Sequence, residues 1–200
     1  SGIEHPAIRN TASWYTKNKG FELKTLPTTK DGIIEIESLN KWIKEAPEKI
    51  AMVTIMAANN ETGVIQPLKK ISEICTANKI PFFCDTTQYI GKVPFSFKDS
   101  GIDYAITSGH KFGALTGTGV LLAKDRTTLK PLIIGGGQEK GLRGGTQNYI
   151  GNETLAVALS TIEKNFGRIK ELTQKRIEFE AKIKENYPTT YIVGEKAPRL

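Results

Sequence analysis

Apolar positions along this chain switch repeatedly between two spacings. In "ESLNKWIKEA", Leu39, Trp42, Ile43 and Ala46 recur every three to four residues, which predicts a helix; "KIAMVTIMAANN" follows as an unbroken apolar run, which predicts a strand covered on both faces. Pro67 opens a second helical stretch, "PLKKISEICTANK", with Leu68, Ile71, Ile74 and Cys75 as its core-facing stripe. Buried strands are then predicted at "IPFFCDTTQ", "DYAIT" and "TGVLLAK". Upstream, "HPAIRNTASWYTKNKG" predicts a helix begun at Pro6 and stopped at Gly20, and "FELKTLP" alternates like a strand. Downstream, Leu155, Leu159, Ile162, Phe166 and Ile169 predict a long amphipathic helix from near Asn152 toward Pro188, with a break at Gly167; "TTYIVGE" predicts a further strand.

Strands alternating with helices imply an α/β fold: a mostly parallel sheet flanked by helices, with a domain boundary near residues 165–170. In such sheets ligands bind beyond the carboxyl ends of the strands. That rule brings "NNETG" at 59–63, "DTTQ" at 85–88 and "SGHK" at 108–111 to a single edge.

Charge changes this picture little. The net charge of +7 invites a nucleic-acid partner, but the densest basic stretch, Arg168 to Lys184, is interleaved with Glu171, Glu178 and Glu180 as on a solvated helix face. No nucleic-acid partner is therefore expected. No apolar run approaches the roughly 18 residues that span a bilayer, and no secretory signal opens the chain, so a cytoplasmic protein with no membrane partner is expected. Cys75 and Cys84 have neither disulfide nor metal-ligand spacing and are expected to be core thiols; no metal site is expected.

The edge clusters carry the candidate chemistry. Lys111 stands at a strand end beside His110, where withdrawal from water would turn a protonated amine into a nucleophile; a lone lysine is more often solvated. Asp85 ends the apolar "PFFC", where an unpaired carboxylate is costly. It either caps the turn begun by Thr86 and Thr87 or pairs with the ring nitrogen of a lysine-bound pyridine cofactor. Gln88 either reaches a ring hydroxyl or faces solvent. "GALTGTGV" leads into a strand and lacks the lysine ending of a P-loop, and "GGGQEKGLRGG" lacks the dinucleotide fingerprint. The latter is either an anion cradle completed by Arg143 and Thr146 or a plain loop.

Five motifs in order, "EHPAI", "NNETG", "DTTQ", "SGHK" and "GGGQEKGLRGGTQN", resemble those of the cysteine desulfurases, pyridoxal-phosphate enzymes of the class V aminotransferase group with the type I fold. The resemblance implies that Lys111 carries pyridoxal 5'-phosphate, that His5 stacks on its ring and assists proton transfer, and that Asp85 pairs with the ring nitrogen. It implies that Asn60 and Gln88 contact the ring hydroxyl or the substrate, that Ser108 and His110 hold the phosphate, and that Thr146 reaches the phosphate of a neighbouring subunit in a homodimer. Residues 1–167 would belong to the cofactor-binding large domain, and 168–200 to the connecting helix and the beginning of a small C-terminal domain. The implied reaction takes sulfur from L-cysteine to an enzyme cysteine as a persulfide, leaving L-alanine, with a sulfur-acceptor or scaffold protein as partner.

The departures are as informative as the matches. Neither Cys75 nor Cys84 lies on a mobile loop, the family's substrate-carboxylate arginine and upstream phosphate segment have no counterpart, "KFGALTGTG" replaces the usual run after the lysine, and Gly144 stands where a serine is usual. The chain thus resembles a central piece of a longer enzyme, expected to be inactive alone. Other readings are another class V reaction, such as a selenocysteine lyase, β-lyase or aminotransferase, and a noncatalytic interaction protein that keeps the fold.

Overall fold

The computed structural model describes residues 1–166 and 168–200, and the expected break at Gly167 lies outside the described residues. Helix α1, Pro6–Lys19, begins with proline in its first turn and ends at Gly20, as expected. Helix α2, Ile36–Glu45, buries Ile36, Leu39 and Ile43. Strand β1, Val53–Thr54, leads to α3, Leu68–Ala77, which buries Ile71, Ser72 and Cys75. Strands β2, Phe82–Asp85, β3, Tyr104–Ser108, and β4, Gly119–Ala123, complete one sheet in the order β1-β2-β3-β4. The first three strands run parallel and β4 runs antiparallel to β3, giving a mixed sheet.

The apolar run at 49–60 forms a named strand only at Val53–Thr54. Its alignment continues further, because Ile55 N donates to Phe83 O at 3.2 Å and Ala57 N to Asp85 O at 2.8 Å. The core sits between this sheet and α2 and α3, with Ile55, Ile71, Phe82 and Cys84 all at 0% exposure. Each large side chain so buried contributes on the order of 1.5–3 kcal/mol.

Two expected strands are absent. "FELKTLP" is irregular: Leu26 is buried while Phe21 and Leu23 are about half exposed, and no described strand lies alongside to pair with. Alternation alone cannot make a ladder without a partner backbone. "TTYIVGE" forms coil and turn, and the pairing in that region is a bridge between Val64 and Arg199. The helical stretch expected from near Asn152 is described as two helices, α4, Tyr149–Asn165, and α5, Arg168–Asn186. The first starts three residues earlier than expected because Asn148 Oδ1 accepts from Gly151 N at 3.0 Å and caps it. No helix among the described residues is long and apolar enough to cross a membrane.

Candidate active site

The parallel register brings the polar clusters to one edge. Asp85 pairs with Ile106, and just beyond it Thr86 donates to Ile106 O through both its amide, at 2.9 Å, and its hydroxyl, at 2.7 Å. The Ala57 amide bond to Asp85 O aligns 57–59 beside them. The N-terminal segment is tied to the same edge by two side chains: Met56 N donates to Glu4 Oε1 at 2.9 Å, and Asn59 Nδ2 donates to Ile3 O at 3.1 Å. His5 therefore stands next to the end of β1, with "DTTQ" and "SGHK" following across the sheet.

Asp85 is buried, with 6% exposure. Its Oδ1 accepts from Thr87 N at 2.9 Å, so the turn-capping reading holds for one oxygen. No described group donates to the other oxygen. That oxygen is not among the buried unpartnered atoms, so it reaches solvent and is available to water or to a donor on a ligand. Both alternatives raised for this residue are thus compatible, one on each oxygen.

Lys111 lies in a short 3-10 turn, Gly109–Phe112, that leaves the end of β3. Its side chain is exposed, which corrects the expectation that the strand end withdraws it from water. The turn itself is packed, with Gly109 buried and Phe112 half-buried, while Lys111 stands on its outward side. The glycine in "SGHK" is required by packing: a Cβ on Gly109 would stand 2.4 Å from Thr118 Oγ1 and 2.6 Å from Leu155 Cδ2. This close approach presses the lysine-bearing turn onto the loop before β4 and onto α4.

The other candidates divide. Ser108 is half-buried and His110 exposed, and both share the end of β3 with Lys111. Gln88 is half-buried on the turn after β2, its Oε1 accepting from Lys92 Nζ at 3.1 Å. His5 is exposed and uses Nδ1 to accept from Ala7 N at 3.2 Å, capping α1. Asn60 is exposed, whereas the adjacent Asn59 is buried and shapes the loop: its Oδ1 accepts from Glu61 N, Thr62 N and Thr62 Oγ1 at 2.9–3.1 Å. Thr146 is exposed on the loop before α4 and makes no described hydrogen bond to the Lys111 cluster.

Sequence reasoning missed Asn59 and Glu4. The signal for Asn59 was an amide ending an apolar run, where a polar side chain must find partners. Glu4, at 4% exposure, had a fainter one, an acid next to the apolar Ile3; its Oε2 is buried with no partner. Cys84, fully buried behind Asp85, has its thiol pushed well up by burial and, secondarily, by the Glu4 and Asp85 charges. Cys75 is pushed up to about 12 by burial and then by Asp103. Neither thiol is a nucleophile here. Among the described residues no His, Cys, Asp and Glu side chains cluster to hold a metal ion.

The donor set fits pyridoxal phosphate chemically: a primary amine, a buried carboxylate with an open oxygen, an amide, and a serine and a histidine at one strand end. Comparison with known proteins points the same way. A cysteine desulfurase IscS of Methanosarcina thermophila is 36% identical over the whole of this chain and 48% of its own length. The mitochondrial cysteine desulfurase of Candida albicans is 41% identical over 72% of this chain and 29% of its own length. A NifS-like protein from Rickettsia africae superposes with a TM-score of 0.87 at 31% identity, over 99% of this chain and 54% of that one. SspA in complex with cysteine superposes at 0.75 with 34% identity, over 80% of this chain and 46% of that one. The chain spans about half the length of such relatives. Since the family description Aminotransferase class-V matches it from residue 1 to residue 200, the chain belongs to the class V aminotransferases.

Proposed function

We propose that this chain forms the cofactor-carrying part of a cysteine desulfurase, which takes sulfur from L-cysteine to an acceptor thiol and leaves L-alanine. The observation that carries the reading is the open oxygen of buried Asp85 on the strand next to the one that delivers Lys111. Bound there, pyridoxal 5'-phosphate supplies an electron sink for charge developing at the substrate α-carbon.

The chain's residues would divide the remaining work. Lys111 would anchor the cofactor and, once displaced by the substrate amine, would remove the α-proton. Its exposed position at the end of β3 supports this, since the amine must swing between two bonds. Asp85 would hold the proton on the ring nitrogen, with its second oxygen braced by Thr87 N. His5 would stack on the ring; its Nδ1 is occupied by Ala7 N, leaving Nε2 for proton transfer. Asn60 and Gln88 would contact the ring hydroxyl or substrate, and Ser108 and His110 the phosphate. Thr146, exposed and with no described hydrogen bond to this cluster, would serve a second copy of the chain in a homodimer.

The sulfur acceptor is a thiol other than Cys75 and Cys84, since both are buried and held protonated. A mobile cysteine of the enzyme, relaying to a sulfur-acceptor or scaffold protein, fits that requirement. The domain assignment follows the same reading: 1–167 in the cofactor-binding large domain, 168–200 beginning the small one.

Visible absorption tests the proposal. Adding pyridoxal phosphate should give a new visible band that Lys111→Ala abolishes and Asp85→Asn shifts or weakens. A chain that stays colourless, or a band unaffected by Lys111→Ala, would overturn it in favour of a noncatalytic protein with this fold.

A further inference from the structure

The turn after β2 holds a cation that the proposed function does not use. Lys92 is half-buried four residues beyond Gln88, and its Nζ donates to Gln88 Oε1 at 3.1 Å. The turn is closed by Tyr89 N and Ile90 N, which donate to Thr86 O at 2.9 and 3.0 Å, and by Val93 N, which donates to Tyr89 O at 3.0 Å. It is also pressed against the lysine-bearing turn. Gly91, at φ 84°, allows this: a Cβ there would stand 2.6 Å from Phe112 Cβ and 3.0 Å from Ile162 Cδ1. Lys92 consequently lies within electrostatic reach of Lys111; burial first, and the Lys111 charge second, bring its pKa below the ordinary lysine range.

An ammonium group can only donate. The Gln88 atom facing Lys92 must therefore be the carbonyl oxygen, and the NH2 end is left over. That removes the usual ambiguity in how a glutamine amide points. We propose that Lys92 is a positioning residue that locks the Gln88 amide so that its NH2 is presented as a donor to an acceptor oxygen of the bound ligand. If the ligand is pyridoxal phosphate, as the proposed function has it, the acceptor is the phenolic oxygen of the ring, and without Lys92 the bound ligand alone would have to orient the amide.

The test has one arm without the cofactor and one with it. In the unloaded chain, nitrogen-15 NMR of the Gln88 side-chain amide should show two well-separated proton resonances. These should collapse toward solvent-exposed glutamine positions in Lys92→Met and return in Lys92→Arg. Should Lys92→Met fail to fold by circular dichroism, Lys92→Gln, which keeps a neutral donor, takes its place and should show a partial collapse. With pyridoxal phosphate, Lys92→Met should weaken binding about two- to tenfold, the worth of one hydrogen bond. Gln88→Leu combined with Lys92→Met should bind no more weakly than Gln88→Leu alone, because the lysine acts through the glutamine. Unchanged Gln88 resonances in Lys92→Met, or additive losses in the double variant, would overturn the inference. A wild-type chain that takes up no pyridoxal phosphate would sink the proposed function instead, while the amide resonances would still decide the role of Lys92.

Discussion

The two ends of the sheet are built differently. At β1 to β3, the strands and helices α2 and α3 close over one another, so that Ile55, Ile71, Phe82 and Cys84 are at 0% exposure. Beyond β4 burial is sparse: Leu155 and Ala158 of α4 join a small second core, but Leu132 is 95% exposed, Ile134 87% and Tyr149 73%, and α5 buries none of its described residues. The first region satisfies its own hydrophobic demand, and the second displays apolar surface that isolated soluble domains rarely leave bare. Asp85 belongs to the self-contained side, whereas the turns bearing Gln88 and Lys111 lean also on α4 through Gly91 and Gly109. Thr146 belongs to the open side, the surface that the proposed homodimer would use.

Substitutions should separate the two regions, and the largest effect is expected in the core. Phe82→Ala should cost about 3–5 kcal/mol in denaturant unfolding, whereas Leu132→Ala should change stability by less than about 0.5 kcal/mol. Comparable losses at both positions would erase the distinction.

The C-terminal segment adds charge to packing, and its end lies beside the β1 side, where Arg199 bridges Val64 and Leu200 N donates to Gly63 O at 3.0 Å. Glu180 accepts from Arg199 at 2.7 and 2.8 Å and from Arg176 at 3.2 Å, joining α5 to the end of the chain. Burial alone raises the Glu180 carboxyl, but these arginine bonds outweigh it and bring it below the usual carboxylate range. Its contribution is thus present above the unfolded carboxylate value of about 4.3 and is lost as pH falls through the lowered folded value. Glu180→Ala should cost about 1.5–3 kcal/mol, toward the lower figure because the carboxylate remains 18% exposed, and should remove that acid-sensitive component of stability.

A third effect lies at the alkaline end. With Cys75 pushed up to about 12, the folded state keeps a neutral thiol while the unfolded chain ionises above about 8.5, so stability should fall as pH rises between those values. Alkylation of Cys75 and Cys84 should correspondingly be slow in native chain and fast in denaturant. The smallest change is expected at Asp85→Asn, where the amide oxygen can still accept from Thr87 N: stability should move by about 1 kcal/mol or less while pyridoxal phosphate uptake falls.

Much of this architecture was legible in the residues because hydrophobic spacing and turn chemistry agreed. Leu39 and Ile43, and Ile71 and Cys75, mark the buried helix faces, and the apolar run before Asp85 marks a strand whose end meets the next. What was not legible depended on partners. The alternation of "FELKTLP" and "TTYIVGE" carries no information about whether another backbone lies beside it, and none does among the described strands. The exposure of Lys111 was hidden for a related reason: a strand end says where a side chain leaves the sheet, not what covers it. Asn59 was overlooked beside Asn60 because two identical residue types differ only in which one turns inward to hold the loop.

The central claim is that the amine of Lys111 and the open oxygen of Asp85 serve one ligand. Reduction with borohydride after loading with pyridoxal phosphate, followed by peptide mapping, tests it most directly. The account predicts a single labelled peptide containing Lys111, with labelling reduced in Asp85→Asn. A label on Lys92 or on any other lysine, with Lys111 unmodified, would contradict it.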